Sequence, residues 1–254
     1  MRVCLVASGS KGNSVYLESG QSRLLIDAGL SAIELITRLA AIGVDASTLD
    51  AILVTHEHGD HVRGVGPLAR RLKIPVIASA LTAREIAPLL KKVAIIEFDA
   101  GCSFAFRDLL IDPFPITHDT VDPVGYVIEG SEGVAGVATD LGVATRLVRE
   151  KLKRCNSLVL EFNHDEEMLR NGPYPWHLKQ RINSRHGHLS NVDSGALLSD
   201  LLHDGFNSLF LAHLSEVNNH PDVARREART VLDKATCCAP RMAIGCQERP
   251  TALF

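Results

Sequence analysis

The first third of the chain alternates short apolar runs with polar turns. "RVCLVASG" and "SVYLES" read as two strands joined by the Gly/Ser/Asn-rich turn "SGSKGNS", and "SRLLIDAG" as a third strand ending at Asp27. Ser31 and Glu34 form a Ser-x-x-Glu capping box, which predicts a helix running to about Gly43. "AILVT" is a short, wholly apolar strand of the kind buried on both faces. Further along, "PVIAS" predicts a strand, with Thr82 and Glu85 capping the helix that follows. "FAFRDLLIDPFPI" is one bent strand or two, and "VGYVIEG" with "GVAGVATD" makes a hairpin. "ATRLVREKLK" is an amphipathic helix and "NSLVLEF" a strand. Helical pattern from His164 to about Gly205 is interrupted by "NGPYP" and "RHGHLSN". "SLFLAHLS" is the last clear strand and "PDVARREARTVLDKA" the last helix, and beyond Cys237 the pattern is ambiguous.

Many short strands with helices at intervals, and no regular βαβ period, argue against a doubly wound sheet. They suit two sheets packed face to face with helices outside, an α/β four-layer αββα sandwich. No Pro/Gly/Ser-rich linker or long charge run divides the chain, so residues 1–254 read as a single domain. With 46% hydrophobic and 22% charged residues it has an ordinary globular composition. The formal net charge of -3 excludes a global basic field, so any nucleic-acid binding must use local patches. No apolar run reaches membrane-span length, and the N-terminus lacks a signal-peptide core. Six cysteines without a CxxC pair point to free thiols and a cytoplasmic setting, with no membrane partner. The vicinal Cys237 and Cys238 are a weaker candidate for metal binding or oxidation.

The chemistry concentrates in "AILVTHEHGDHVRG". His56 and His58 alternate along an extended segment, so both can point the same way. Asp60 and His61 follow at a turn that Gly59 permits. Four ligand-type side chains converge on a volume too small for unpaired polar groups, and metal ions resolve that conflict. A single tetrahedral zinc takes about four ligands. The adjacent Asp60 and His61 can hardly serve the same ion as His56 and His58, so two ions are more economical.

"THEHGDH" resembles the HxHxDH signature of the metallo-β-lactamase-fold hydrolases, and further motifs of that family follow in order. "LLIDAG" carries Asp27, "ITHD" places His118 after a strand, "GVATD" places Asp140, and "LAHLS" ends a late strand with His213. The resemblance implies His56, His58 and His118 on one metal and Asp60, His61 and His213 on a second, bridged by Asp140. Asp27 would orient a ligand by hydrogen bonding. An all-N/O donor set accepts Zn²⁺ or Mn²⁺, and Fe as well.

The fold serves many reactions, so the rest of the site must decide among them. His118 and Asp140 lie too close in sequence for the large inserted domain of the RNA-cleaving β-CASP relatives. "ASGSKGNS", "LEFNHDEEML", "RHGHLSN" and "HLSEVNN" resemble the YycJ/WalJ-type exonucleases of bacteria, and they are similar to the tRNA 3′-processing nuclease ribonuclease Z. The resemblance implies a nucleic acid substrate, DNA ahead of RNA, cut by a hydroxide bridging the metals. A departing alkoxide needs a proton donor, and His188, just before the predicted N-cap Ser190, suits that task. Asp60, His188 and His164 are therefore the candidate catalytic residues, with His186 read as exposed. Lys11, Lys179 and Arg181 are candidate phosphate contacts, beside Arg185, and Trp176 and Tyr174 are candidate base-stacking side chains. A tRNA 3′-processing-like ribonuclease and a small-molecule thioester or lactone hydrolase on the same metals are the competing enzymes. A ligand-binding or regulatory protein on the same scaffold is the competing class.

Overall fold

A computed structural model describes residues 1–254. Six strands form the first sheet in chain order: β1 (Arg2–Ala7), β2 (Ser14–Ser19), β3 (Ser22–Ile26), β4 (Ala51–Leu53), β5 (Val76–Ser79) and β6 (Ile95–Phe98). Seven form the second, again in order: β7 (Phe104–Phe106), β8 (Leu109–Pro115), β9 (Val124–Gly130), β10 (Gly133–Ala138), β11 (Ser157–Glu161), β12 (Ser208–Ala212) and β13 (Arg241–Ile244). Each sheet begins antiparallel and ends parallel. The switch comes at β3–β4 in the first and at β10–β11 in the second. The two sheets thus follow a similar order, each ending in three parallel pairings, the second with one more antiparallel strand.

Strand alternation builds three apolar seams. Val3, Leu5, Leu17, Leu24 and Ile26 face Ile111, Tyr126, Ile128 and Phe210 between the sheets. Their sequence neighbours Cys4, Val6, Tyr16 and Leu25 turn the other way. There they meet helices α1 (Ala32–Ala41), α3 (Val65–Leu72) and α4 (Ala80–Leu90), with the short α2 (Gly59–Val62) between α1 and α3. On the far side, α5 (Arg146–Leu152), α8 (Asn191–Leu201) and α9 (Pro221–Leu232) cover the second sheet. Two short helices, α6 (Glu166–Asn171) and α7 (Trp176–Ile182), intervene before α8. The architecture is the four-layer α/β sandwich expected. No helix is long and apolar enough to cross a membrane.

Several boundaries differ from the pattern-based expectation. Ser79, not Thr82, caps α4, its side chain accepting from Thr82 N, and Glu85 takes no part. Ser79 is also the last residue of β5, so one residue ends a strand and starts a helix. "FAFRDLLIDPFPI" resolves into two strands that turn at Arg107, which sits at φ 54°. The segments Val65–Leu72, Ile95–Phe98 and Arg241–Ile244 were not anticipated as elements. The Ser31 cap of α1 and the breaks at "NGPYP" and "RHGHLSN" fall where expected. Past β13, residues 251–254 run beside β1, with Val3 N donating to Phe254 O and Thr251 N to Leu5 O. This closes the open edge of the first sheet.

Candidate metal centre

Parallel strands present their C-terminal ends on one side of the sandwich, and the ligand-type residues follow those ends. Asp27 follows β3, His56 lies three residues past β4, Asp140 two past β10, and His213 directly past β12. Glu161 is the last residue of β11. His118 lies three residues past β8. Asp27, Asp140 and His213 have φ of 60°, 59° and 57°, a region that non-glycine residues rarely enter. Such conformations concentrate where a site is held against local preference. Both sheets are stitched together here: Tyr126 Oη donates to Val54 O at 2.6 Å, and His213 N to Ser8 Oγ at 2.7 Å. Gly29, in the turn after Asp27, packs on the metal loop so closely that a Cβ would lie 1.7 Å from Asp60 O. Only glycine fits that approach.

Hydrogen bonds fix which nitrogen each imidazole turns inward. A carboxylate or carbonyl can only accept, so the ring nitrogen facing it must carry a proton. Asp27 Oδ2 sits 2.8 Å from His61 Nδ1, and Gly187 O sits 3.2 Å from His118 Nδ1. Glu161 Oε1 sits 2.9 Å from His213 Nδ1, and Thr55 Oγ1 lies 2.9 Å from His56 Nδ1. Nε2 of each ring is thereby directed to the cleft as a lone-pair donor, the usual support for a metal ligand. His56 Nε2, His213 Nε2 and Asp140 Oδ2 are buried with no hydrogen-bond partner. His118 Nε2 and His58 Nδ1 face each other at 3.3 Å. Two lone pairs at that separation require a cation or a shared proton. Buried polar groups are seldom left unpaired, so the orphaned atoms fit metal ligation.

Asp140 occupies the middle. Its Oδ1 lies 3.7 Å from His118 Nε2 and its Oδ2 lies 3.4 Å from His61 Nε2. Asp60 Oδ2 lies 3.5 Å from His61 Nε2 and 3.8 Å from His213 Nε2. Ligand-type atoms assemble as His56–His58–His118 and Asp60–His61–His213, with Asp140 reaching both; His56–His61–Asp140 and Asp140–Glu161–His188–His213 also come together. The first two groups and Asp140 are the residues named from the "THEHGDH", "ITHD", "GVATD" and "LAHLS" stretches.

Charge tells the same story. Burial opposes ionisation of Asp140, yet the surrounding histidines, His213 first, hold its carboxyl well below the usual range. Asp60 is treated likewise, with the neighbouring His213 and His61 rings overcoming its burial. Burial would also strip the proton from His213, but Asp140, Asp60 and Glu161 raise it to about 10. His61, equally buried, is pushed well up by Asp140 and Asp27. Burial keeps His56 and His118 neutral, with lone pairs free. Without added cations, the carboxylates must recruit protons onto their neighbours. A divalent ion supplies that charge directly.

Glu161, which the sequence offers only within "LEFNHDEEML" and without a role, anchors the far wall. It is fully buried, and its Oε1 accepts from both His188 Nδ1 and His213 Nδ1 at 2.9 Å. Its Oε2 accepts from Leu141 N at 2.8 Å and Leu189 N at 3.1 Å. Burial raises its pKa and the facing His188 and His213 lower it, to about 2 overall. Both its oxygens are engaged by N–H donors, so Glu161 orients the two rings. Its sequence signals were an acid ending the apolar run "SLVLEF" and its place in the "LEFNHDEEML" stretch. Thr55 and Asn13 were missed as well. Thr55 bonds Asp27 through N at 2.8 Å and Oγ1 at 2.7 Å, and Asn13 Nδ2 donates to Asp60 Oδ2 at 3.1 Å.

His188 lines a cleft of about 250 Å³ together with His58, Asp60, His118, Asp140 and His213. Its Nδ1 is held by Glu161, and Ser190 caps α8 two residues on, as expected. Arg181 also lines the cleft, with Nε 2.6 Å from Asp119 Oδ2. Other expected contacts lie elsewhere. His164 is fully buried and does not line the cleft. Its backbone forms an isolated bridge with Ser190, and both ring nitrogens are buried with no hydrogen-bond partner. Burial lowers its pKa to about 4, so the ring is neutral. Lys11 is exposed and pairs with Glu216 at 2.7 Å, while its neighbour Ser10 reaches the cleft. Lys179 faces a separate groove on the other side of α7. His186 is exposed.

Known proteins share this sequence and fold. The family described as "Beta-lactamase superfamily domain" matches residues 22–205. The exodeoxyribonuclease YycJ of Bacillus anthracis is 36% identical over 235 residues, covering 91% of this chain and 88% of that protein. The exodeoxyribonuclease WalJ of Streptococcus pneumoniae is 39% identical over 225 residues, covering 87% and 84%. The crystal structure of the metallo-β-lactamase-fold protein YhfI from Bacillus subtilis superposes with a TM-score of 0.76 at 19% identity, covering 98% of each chain. The chain is a hydrolase of the metallo-β-lactamase fold and belongs to the β-lactamase superfamily, in the family of YycJ and WalJ.

Proposed function

We propose that the protein is a cytoplasmic DNA exonuclease, a phosphodiesterase with two divalent metal ions, Zn²⁺ or Mn²⁺, held within one domain formed by residues 1–254. His56, His58 and His118 would hold one ion and Asp60, His61 and His213 the other, with Asp140 shared. Bound there, the ions supply an activated water and neutralise the non-bridging phosphate oxygens. The protein's own groups do the rest. Asp60 lines the cleft and would orient the attacking water there. Glu161 fixes His188 through Nδ1, leaving Nε2, which has no partner in the chain, to carry a proton to the departing sugar oxygen. Arg181, tied to Asp119, stands at the rim where a phosphate would pass.

The observation that carries this reading is the Glu161–His188 pair inside the metal cleft. An alkoxide leaving group needs a proton, whereas a thiolate, the weaker base, leaves without one, so a thioester hydrolase has little use for it. The relatives' designation as exodeoxyribonucleases supports DNA over RNA. A substrate panel tests the reading. With Mn²⁺ or Zn²⁺ present, end-labelled DNA should be degraded faster than RNA of the same sequence, and a thioester should be untouched. Thioester turnover with intact DNA would overturn it, and preferential loss of RNA would favour the ribonuclease reading.

A further inference from the structure

Helix α7 divides two cavities. Leu178, Arg181 and Ile182 line the metal cleft on its inner side. Trp176, Lys179 and Asn183 line a larger groove, of about 470 Å³, on its outer side. Trp176 is the single tryptophan of the chain and is 70% exposed. Trp is usually well buried, and this ring stands open to the groove instead. Buried Leu169 lies in the same groove, with the cations Arg170 and Lys179 at its rim. Lys179 Nζ donates to Arg170 O at 2.7 Å, and no carboxylate pairs with either cation. Glu166 is the single acid of the lining.

An exposed aromatic face flanked by unpaired cations, beside a cleft suited to phosphodiesters, is the arrangement that tracks single-stranded nucleic acid. We infer that this groove is a second substrate subsite, which takes a base of a single-stranded DNA segment stacked on Trp176 while Arg170 and Lys179 meet its phosphates. The inference rests on the nuclease reading above and names where the strand runs. A helix with its side chains is roughly 10–12 Å across, so a strand passing from cleft to groove over α7 spans a few nucleotides. A dinucleotide in the cleft cannot reach Trp176, and a longer strand can.

Because Trp176 is the single tryptophan, its fluorescence reports the groove directly. Phosphorothioate-linked oligothymidylates, added to metal-loaded protein, resist cleavage and show binding alone. A ten-residue strand should quench the emission saturably and a two-residue strand should not. On cleavable DNA, Trp176→Ala should raise KM for the ten-residue strand by about 10-fold, in line with the usual worth of one stacked base, with kcat little changed. Trp176→Phe, which keeps a ring, should recover most of that loss, and equal melting temperatures would show that folding is not the cause. If the wild-type protein degrades the ten-residue strand while emission and KM do not respond, the groove is not a subsite and the nuclease reading stands. If the protein neither binds nor degrades DNA, both readings fall together.

Discussion

Asp140→Asn should abolish turnover, with a loss of at least about 100-fold, and should release metal from the protein. The reason is positional. Asp140 Oδ1 and Oδ2 lie 3.7 Å and 3.4 Å from the inward nitrogens of His118 and His61, so one carboxylate serves both ligand groups. It is almost wholly buried, and its charge is held by four surrounding histidines. An amide keeps the shape but removes the charge, and it presents N–H donors where a cation should sit. Metal analysis and activity measured on one preparation decide the matter. Full metal content with near wild-type activity would place the shared carboxylate elsewhere.

His188→Ala should leave metal content and folding intact while lowering kcat by about 10²–10⁴, the range for a lost general acid. His188 lies in the cleft outside the His56–His58–His118 and Asp60–His61–His213 groups. It also clusters with Asp140, Glu161 and His213, but both Glu161 oxygens are taken by N–H donors, so its removal should leave the two proposed ligand groups complete. The size of the loss should depend on the leaving group. A sugar alkoxide needs a proton, and a nitrophenolate needs little help, so the deficit should shrink on a nitrophenyl phosphodiester. Equal losses on both substrates would remove His188 from proton transfer. A drop in melting temperature or metal content would instead show a structural role through Glu161 and His213.

The residues that cluster in the cleft were legible because their pattern is local or lies at strand ends. His56, His58, Asp60 and His61 fall within six consecutive positions, and Asp27, Asp140 and His213 each follow a well-marked apolar run. Glu161 was not, because its partners stand 27 and 52 residues away and converge only when β11 and β12 pair and the "RHGHLSN" loop folds over them. His164 differs: it lies in a histidine- and acid-rich segment, and its full burial away from the cleft lining shows only in the fold. β6 escaped notice because Ile96 and Glu97 are both exposed on an edge strand, which breaks the alternation that marks a half-buried one. The candidate phosphate contacts Lys11, Lys179 and Arg181 were legible as charge but not as geometry. Folding sends Lys11 to Glu216, Lys179 to the outer groove and only Arg181 to the cleft.

The most direct test of the account compares DNA with and without ends. Single-stranded DNA of one sequence, supplied as a labelled linear strand and as a covalently closed circle, is incubated with metal-loaded protein, with and without a chelator. An exonuclease with this metal centre should release mononucleotides from the linear strand, spare the circle, and stop when the metal is removed. Cutting of the circle at a comparable rate, or undiminished cutting of the linear strand in chelator, would contradict it.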